Sequence, residues 1–421
     1  MGWHHSYGEL PDGGDPVTAT FDGRVMQDVL DPQLGAVHPL VARAQELVPV
    51  LRARIAETEE LRRLPDATVA DSEELFGLLL PEALGGAGAG PREFVDVLRV
   101  LAQGDPSAAW TLSFFIAHGW MLARWPEQTQ RQVFATPGPQ LVAVAANPPG
   151  RAVRVEGGFR LSGRWAYCSG VLNANWVQLA ARIEGEDELR LFLLPRSVVE
   201  VPDTWDMAGM KGTGSNNVIV DDEFVAEDFS LELHDWLSRD NPAAALYPEP
   251  LYSYDIRDLL VFLLPALLLG AGQAVVGDYR DRLDKRREAF GTRLTGDTAA
   301  GQLRYARTVS QLRTAEATLD RAVRETIEVN AASTASMSDE MRANIKLDCL
   351  SVGRLAWDAI QTAVRGSGAA IYQTQDPTQH FLRDVEVILG HLTIDEDGML
   401  AQAGQVLLGR ATGDTATKNF T

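Results

Sequence analysis

The spacing of apolar residues changes twice along this chain, and the order of those changes limits the folds that it can adopt. The first part carries apolar residues at the spacing of one helical face: Val37, Leu40, Val41, Ala44, Leu47, Val48 and Leu51. Residues 152–163 instead alternate around Gly157-Gly158, which is typical of a β-hairpin. The helical spacing returns over 303–322 and 345–363. The order is therefore helical, then β, then helical again.

This order predicts a mainly α fold with a central β domain. We expect an irregular tail, an N-terminal helical domain, a β domain and a C-terminal helical bundle at residues 1–30, 31–137, 138–229 and 230–421. Strands and helices do not alternate, and no G-x-G-x-x-G follows a strand, so a Rossmann fold is disfavoured. Asp105 and Ser338 are predicted N-caps, and Gly366 is a predicted helix stop.

An uncharged stretch at residues 259–277, LLVFLLPALLLGAGQAVVG, is nearly long enough to span a bilayer. A helix buried on all sides in a large α-helical core has the same composition. We favour the buried helix because Pro265 interrupts the stretch and no other segment resembles a span. So apolar a helix also suggests burial against a neighbouring subunit.

The charge balance excludes several classes of partner. Lys and Arg number 38 against 58 Asp and Glu, which gives a net charge of −20. Such a chain repels phosphate backbones and anionic membranes. The two cysteines, Cys168 and Cys349, form no metal-binding motif or disulfide framework. We therefore expect no metal site. The chain opens without the features of a secretory signal, and the cytoplasm is the expected location.

Four motifs, taken in order, resemble the acyl-CoA dehydrogenase superfamily over roughly residues 35–410. They are GRWAYCSG (163–170), DMAGMKGTGSNNVIVDDEFV (206–225), RREAFGTRL (286–294) and VRGSGAAIY (364–372). More narrowly, the chain resembles the flavin-dependent two-component monooxygenases, such as the oxygenase component of p-hydroxyphenylacetate hydroxylase. The resemblance implies an N-terminal helical domain, a middle β-barrel or sandwich, a C-terminal four-helix bundle and a homotetramer.

The same resemblance implies a set of cofactor-binding residues. They are Asn147, Trp165, Cys168, Ser169, Thr213, Ser215, Arg287, Phe290, Gln302, Gly366 and Gly368. Ser169 occupies the family's position for a hydroxyl near flavin N5, and Arg287 the position for an arginine at the flavin's phosphate end. Asn147 departs from the family's Thr-Glu-Pro turn, and the loop before Gln302 is longer than usual. A tight glycine turn explains Thr213 and Ser215 equally well, and Gly366 and Gly368 can cap a helix as well as contact the cofactor. For Ser169, the neighbouring Trp165 and the Ser-Gly pair favour the cofactor over a strand-end turn.

In dehydrogenases of this superfamily, an Arg-Asp pair precedes a tyrosine and a catalytic glutamate. Arg383 and Asp384 match the pair here, and we expect them to form a structural ion pair. His391 and Leu392 take the places of tyrosine and glutamate. Leucine cannot act as a base, whereas an imidazole suits proton transfer near neutral pH. The monooxygenase branch carries a histidine at the position of His391.

The resemblance places a second histidine, His118, on the substrate side of the flavin. Phe114, Phe115 and Trp120 surround it in sequence and would line an apolar aromatic pocket. A lone histidine on an apolar helix is more often a core residue, but the other motif matches favour the site. The predicted catalytic residues are therefore His118, His391 and Ser169.

Together these features predict a monooxygenase that uses reduced FMN or FAD from a separate reductase, together with dioxygen. The resemblance implies that a C4a-hydroperoxyflavin hydroxylates a phenolic or polycyclic aromatic substrate, including polyketide-derived compounds. Three alternatives stay open: an N- or S-oxygenase of an amine, amino sugar or thiophene, an acyl-CoA dehydrogenase, and a non-catalytic helical assembly protein. Leu392 argues against the dehydrogenase.

Overall fold

Two helical regions flank a β-sheet, in the order that the hydrophobic pattern predicts. The computed structural model describes residues 38–186, 189–288, 291–332 and 337–410. The predicted tail at 1–30 and Phe290 lie outside the described residues. The predicted fold class, mainly α with a central sheet, is confirmed.

The N-terminal region is built from helices that bury one or more faces. They are α1 (Pro39–Ala53), α2 (Ile55–Leu61), α3 (Asp66–Asp71), α4 (Pro91–Leu101), α5 (Pro106–Leu122) and α6 (Glu127–Val133). Asp105 begins α5 as predicted, because its carboxylate accepts from the amides of Ser107 and Ala108 at 2.8 and 3.1 Å. In α5, which the structure describes throughout, Phe114 alone is not buried.

The described strands form one mixed sheet of order β5-β2-β1-β3-β4-β6. They are β1 (Val142–Val155), β2 (Gly158–Cys168), β3 (Trp176–Ile183), β4 (Leu189–Pro195), β5 (Asn216–Ala226) and β6 (Ser230–Glu232). β1 and β2 form the predicted hairpin, in which Val155 faces Gly158 and Gly157 turns the chain at φ +79°. The β1 pairing with β3 is parallel, and its register shifts between Ala145 and Gly150.

The remaining helices follow the sheet. They are α7 (Leu233–Leu237), α8 (Ile256–Leu260), α9 (Leu263–Lys285), α10 (Ala299–Ala332), α11 (Asp339–Ser367), α12 (Pro377–Leu389) and α13 (Glu396–Leu407). The span Ile256–Lys285 is long and apolar enough to cross a membrane, but 89% of its most apolar window is buried inside the protein. The predicted buried helix is confirmed, and α9 packs against α4, α10 and α11.

The ends of α11 test two further predictions. Ser338 caps the helix, since its hydroxyl accepts from the Met341 amide at 3.2 Å. The predicted stop at Gly366 is wrong by two residues, because the helix continues to Ser367 and Gly368 turns the chain at φ +77°. Gly366 has a packing role instead. A Cβ there would lie 2.3 Å from the Tyr279 hydroxyl.

Candidate active site

An aromatic row runs along one face of α5, which packs between the sheet and the C-terminal helices. Trp110, Phe114 and His118 are four residues apart and so share that face. The Trp110 and Phe114 rings meet edge to face at 5.1 Å, and the Phe114 and His118 rings stack at 4.9 Å. At the other end, the Trp110 ring meets the His391 ring at 5.3 Å. Trp110 and Phe114 therefore connect the two predicted catalytic histidines.

A chain of hydroxyls joins the row at Trp110. The indole N–H of Trp110 donates to the Ser169 hydroxyl at 3.2 Å. Ser169 Oγ lies 2.8 Å from Ser215 Oγ, which lies 2.6 Å from Thr213 Oγ1. Thr213 in turn donates to the Met210 carbonyl at 2.9 Å. Three predicted site residues are thus hydrogen-bonded in series beside the aromatic row.

His118 presents a hydrogen-bond acceptor to the row. Its Nδ1 lies 2.7 Å from the Val142 carbonyl, which can only accept, so Nδ1 carries the hydrogen. Nε2 therefore keeps a free lone pair. Burial lowers the pKa of His118 to about 4, against the opposing effect of the Val142 hydrogen bond. The ring is neutral at pH 7 and can accept a proton at Nε2.

His391 presents a hydrogen-bond donor instead of an acceptor. Its Nδ1 accepts from the Thr393 amide at 3.2 Å and lies 2.8 Å from the Thr393 hydroxyl. The hydrogen of the neutral ring is therefore on Nε2, which becomes a donor. Burial lowers the pKa of His391 as well. The two ends of the row thus offer one acceptor and one donor.

A buried charged cluster lies at the beginning of α5, the helix that carries the row. His380 Nε2 lies 3.0 Å from the Asp105 carboxylate and 3.2 Å from the Asp384 carboxylate. His380 Nδ1 lies 3.2 Å from the Glu59 carboxylate. Because carboxylates face both ring nitrogens, the ring fits a doubly protonated imidazolium rather than a metal ligand. Although burial lowers the pKa of His380, Asp384 and Asp105 raise it well above its usual value.

Arg383 and Asp384 do not form the predicted ion pair with each other. Arg383 instead donates to Glu59 at 2.7 Å. Asp384 accepts from the Met210 amide at 2.5 Å and faces His380, four residues earlier on α12. This i, i+4 neighbour takes the place that the arginine was expected to fill. Asp384 therefore holds the loop of Met210, which supports the hydroxyl chain.

The structure places Trp165 and Cys168 inside the sheet core. Both side chains are 0% exposed, and the Trp165 indole donates to the Ala180 carbonyl at 2.7 Å. Burial raises the pKa of the Cys168 thiol to about 12. Their neighbour Ser169 is partly exposed at the end of β2. Asn147 lies half-buried within the register shift of β1.

The residues predicted for the cofactor's phosphate end form a separate group near the ends of α9 and α11. Arg287 is exposed and donates to the Thr292 carbonyl, and Gln302 is exposed on α10. At Gly368, an added Cβ would lie 2.5 Å from the guanidinium of Arg286.

Two predicted substrate-lining residues do not lie on the row. Phe115 packs edge to face against Phe76 at 5.9 Å. Trp120 is 0% exposed, and the Arg124 guanidinium lies 5.0 Å from its ring centre. The helical period turns both side chains away from the face that Phe114 and His118 share.

Sequence reasoning missed Trp110, which contacts Ser169, His391 and Phe114. The signal was available, because residues 110, 114 and 118 are all aromatic or imidazole rings at one-turn spacing. The assembled chemistry suits a flat heteroaromatic cofactor. Rings supply planar surfaces, and hydroxyl and imidazole groups supply both donors and acceptors.

Comparison with known proteins agrees with this chemistry. Residues 262–396 match the family described as "Acyl-CoA dehydrogenase, C-terminal domain". The chain is 31% identical over 380 residues to the "Pigment production hydroxylase" of Rhodococcus sp., covering 89% of this chain and 97% of that protein. It is 29% identical over 404 residues to the "FADH(2)-dependent resorcinol hydroxylase, oxygenase component" of Rhizobium sp., covering 90% and 97%.

A solved structure agrees as well. XiaF from Streptomyces sp., in complex with FADH2 and glycerol, matches with a TM-score of 0.83 and 27% identity, over 88% of this chain and 95% of that one. This chain covers nearly the full length of each of these relatives. The chemistry of the site also fits a flavin. The chain therefore belongs to the flavin-dependent monooxygenases of the acyl-CoA dehydrogenase superfamily, oxidoreductases that act with a reduced flavin.

Proposed function

We propose that this protein hydroxylates a phenolic or polycyclic aromatic substrate, including polyketide-derived compounds, with reduced FMN or FAD from a separate reductase. The observation that carries the proposal is the imidazole of His118 at one end of the row, which stacks on the Phe114 ring and keeps a free lone pair at Nε2. The reduced flavin, once bound, supplies the chemistry that activates dioxygen. The named activity of the Rhizobium relative on resorcinol, a phenol, supports the substrate class.

His118 would orient the phenol by accepting its hydrogen bond, or would take its proton. Removing this proton raises electron density at the ring carbon that is attacked. Burial lowers the pKa of His118 to about 4, so its imidazole is unprotonated across the neutral pH range and Nε2 can accept a hydrogen bond from the phenol. Phe114, partly exposed beside it, would lie against the substrate ring and favour an aromatic over an aliphatic compound.

Ser169 and His391 would hold the reactive end of the flavin. His391 offers an N–H at Nε2, and Ser169 lies between the Trp110 indole and Ser215. Their half-buried setting would exclude water from the reaction. Thr213 and Ser215 would support Ser169 through the hydroxyl chain.

We also propose a homotetramer in which Arg287, Gln302, Gly366 and Gly368 bind the flavin's phosphate end across a subunit boundary. An exposed arginine is suited to a phosphate by its paired donors. Leu303, beside Gln302, is 72% exposed in the single chain and is available for burial by another subunit. Two buried free cysteines are compatible with the proposed cytoplasmic location.

The test supplies reduced flavin, labelled dioxygen and a panel of phenols, amines and thiophenes, and follows the label into the product. We expect a hydroxylated phenol. His118→Ala should slow hydroxylation by roughly 10²- to 10⁴-fold, while reduced-flavin binding stays within about twofold. His234→Ala, an exposed histidine on α7, is the matched control. Label found only on nitrogen or sulfur would contradict the proposal that the substrate is a phenol. Full activity of His118→Ala would contradict the proposed role of His118.

A further inference from the structure

The hydroxyl chain beside the row ends at a group that cannot donate. Each hydroxyl of Thr213, Ser215 and Ser169 has a single hydrogen to give. Thr213 can give its hydrogen to the Met210 carbonyl, at 2.9 Å, or to Ser215, at 2.6 Å, but not to both. The choice made at Thr213 therefore sets the direction of every hydrogen bond in the chain.

One direction makes more hydrogen bonds than the other. If Thr213 donates to Met210, Ser215 donates to Thr213 and Ser169 donates to Ser215, so every hydrogen is used within the protein. In the reverse direction, the Met210 carbonyl loses the Thr213 hydrogen bond and the Ser169 hydrogen is left over. A buried hydrogen bond that is left unmade costs free energy, so the first direction is preferred.

The carbonyl at the end of the chain is held in place. The Trp205 indole also donates to the Met210 carbonyl, at 2.9 Å, and Asp384 holds the Met210 amide at 2.5 Å. In the reverse direction the carbonyl keeps the Trp205 indole and the Thr213 amide, at 3.2 Å, but loses the Thr213 hydroxyl. Thr213 and Ser215 are only 2% and 5% exposed, so water has little access to replace that hydrogen bond.

These bonds leave Ser169 with one free group. Its hydrogen goes to Ser215, and one of its two lone pairs receives the Trp110 N–H. The second lone pair remains. Ser169 is partly exposed, so this lone pair is what it offers to a ligand.

We propose that this hydroxyl chain makes Ser169 an acceptor and thereby selects the reduced flavin over the oxidised flavin. The inference rests on the proposed function, in which Ser169 faces flavin N5. Reduced flavin carries a hydrogen on N5 and donates to Ser169, whereas oxidised flavin has only a lone pair there. To meet oxidised flavin, Ser169 must turn its hydrogen away from Ser215, or all three hydroxyls must reverse and Met210 must give up the Thr213 hydroxyl; either change loses one hydrogen bond within the protein. The loss of one buried hydrogen bond corresponds to roughly 2- to 10-fold in affinity.

The test compares dissociation constants under anaerobic conditions for FMN and FAD, each oxidised and dithionite-reduced. Wild type should bind the reduced form more tightly. In Ser215→Ala, the Ser169 hydrogen loses its partner and is free to donate, so the oxidised-to-reduced ratio of dissociation constants should fall by roughly 2- to 10-fold. The midpoint potential of the bound flavin should fall accordingly, by about 30 mV for a tenfold change.

A second pair of variants tests Thr213, at the far end of the hydroxyl chain. Thr213→Val removes the hydroxyl and should lower the ratio, whereas Thr213→Ser keeps a hydroxyl and should restore it. Ser113→Ala is the matched control, because its hydroxyl donates to the Ala109 carbonyl within α5. If Ser215→Ala fails to fold by circular dichroism, the threonine pair decides.

The outcomes separate the two proposals. A wild-type ratio that stays unchanged in Ser215→Ala and Thr213→Val overturns the selection by the hydroxyl chain and leaves the proposed function standing. Equal wild-type binding of both flavin states also overturns it. Failure of wild type to bind either flavin state contradicts the proposed function itself.

Discussion

At the scale of single residues, backbone partners decide what each histidine can do. The Val142 carbonyl fixes the hydrogen of His118 on Nδ1, and the Thr393 amide keeps the hydrogen of His391 off Nδ1. Val142 is 24 residues from His118 in sequence, and Thr393, although two residues from His391, meets the ring only through the turn after α12. The sequence could therefore identify both rings as candidates but could not assign an acceptor and a donor.

The burial of His118 has a consequence for stability against pH. Its folded pKa of about 4 lies below the ordinary value of 6.5, so below pH 6.5 the unfolded chain binds more protons than the folded chain. The contribution is present above pH 6.5 and is lost as the pH falls towards 4, by about 3 kcal/mol in all.

Urea unfolding of wild type and His118→Phe, at neutral pH and at several acidic values, measures this contribution. Wild type should lose unfolding free energy relative to His118→Phe as the pH falls from 6.5 towards 4, because other groups cancel in the comparison. Asp384, whose pKa burial raises to about 6, is among the groups that cancel. Parallel curves would show that His118 is not buried as a neutral ring.

Residues of one sequence motif lie in different surroundings, for a geometric reason. Trp165, Cys168 and Ser169 are close in sequence, yet the register of β2 shifts between Trp165 and Cys168, and Ser169 lies in the turn after the strand ends. Cys168 consequently enters the sheet core, whereas Ser169 is partly exposed. A sequence motif gives the type of each residue, but at the end of a strand it does not give whether that side chain is buried or exposed.

At the scale of elements, the hydrophobic period and the N-caps were strong signals. Asp105 and Ser338 begin α5 and α11 as predicted, because capping is local chemistry. The partners of Asp105 across the fold were not predictable in this way. His380 is 275 residues away in sequence, and it joins α12 to the beginning of α5.

This junction is expected to stabilise the fold strongly. Asp105→Ala removes a helix cap and leaves the buried His380 imidazolium short of a partner, so we expect a loss of about 3–5 kcal/mol in unfolding free energy. Asp105→Asn keeps a capping oxygen and should lose less. Urea unfolding measures both.

Asp395→Ala is the control for this prediction. Asp395 caps α13 through the Gly398 amide and is exposed, so its loss should cost about 0.5–2 kcal/mol. An Asp105→Ala variant no less stable than Asp395→Ala would show that the charged cluster contributes little.

At the scale of the whole molecule, the aromatic row lies where the sheet meets the C-terminal helices. Helix α5 packs against β1 on one side and against α9 and α12 on others. The order of hydrophobic periods predicted these layers. It could not predict their meeting point, because Trp110 and Ser169 are 59 residues apart in sequence.

The proposed assembly makes a measurable prediction at this scale. Sedimentation equilibrium should give about four times the chain mass of 45.9 kDa. Leu303→Arg places a charge on the exposed apolar position of α10 and should lower that mass. Leu61→Arg, also an exposed leucine but on α2, is the control. A wild-type mass of a single chain would contradict the homotetramer.

The partial exposure of Phe114 has a consequence for redesign. Every other residue of α5, a helix described throughout, is buried, so a change of size at those positions must be absorbed by the protein interior. At Phe114 a change of side-chain size alters the space open to a ligand rather than the packing of the protein interior. A small library at this one codon is therefore the economical route to a new substrate range, with folding left largely intact.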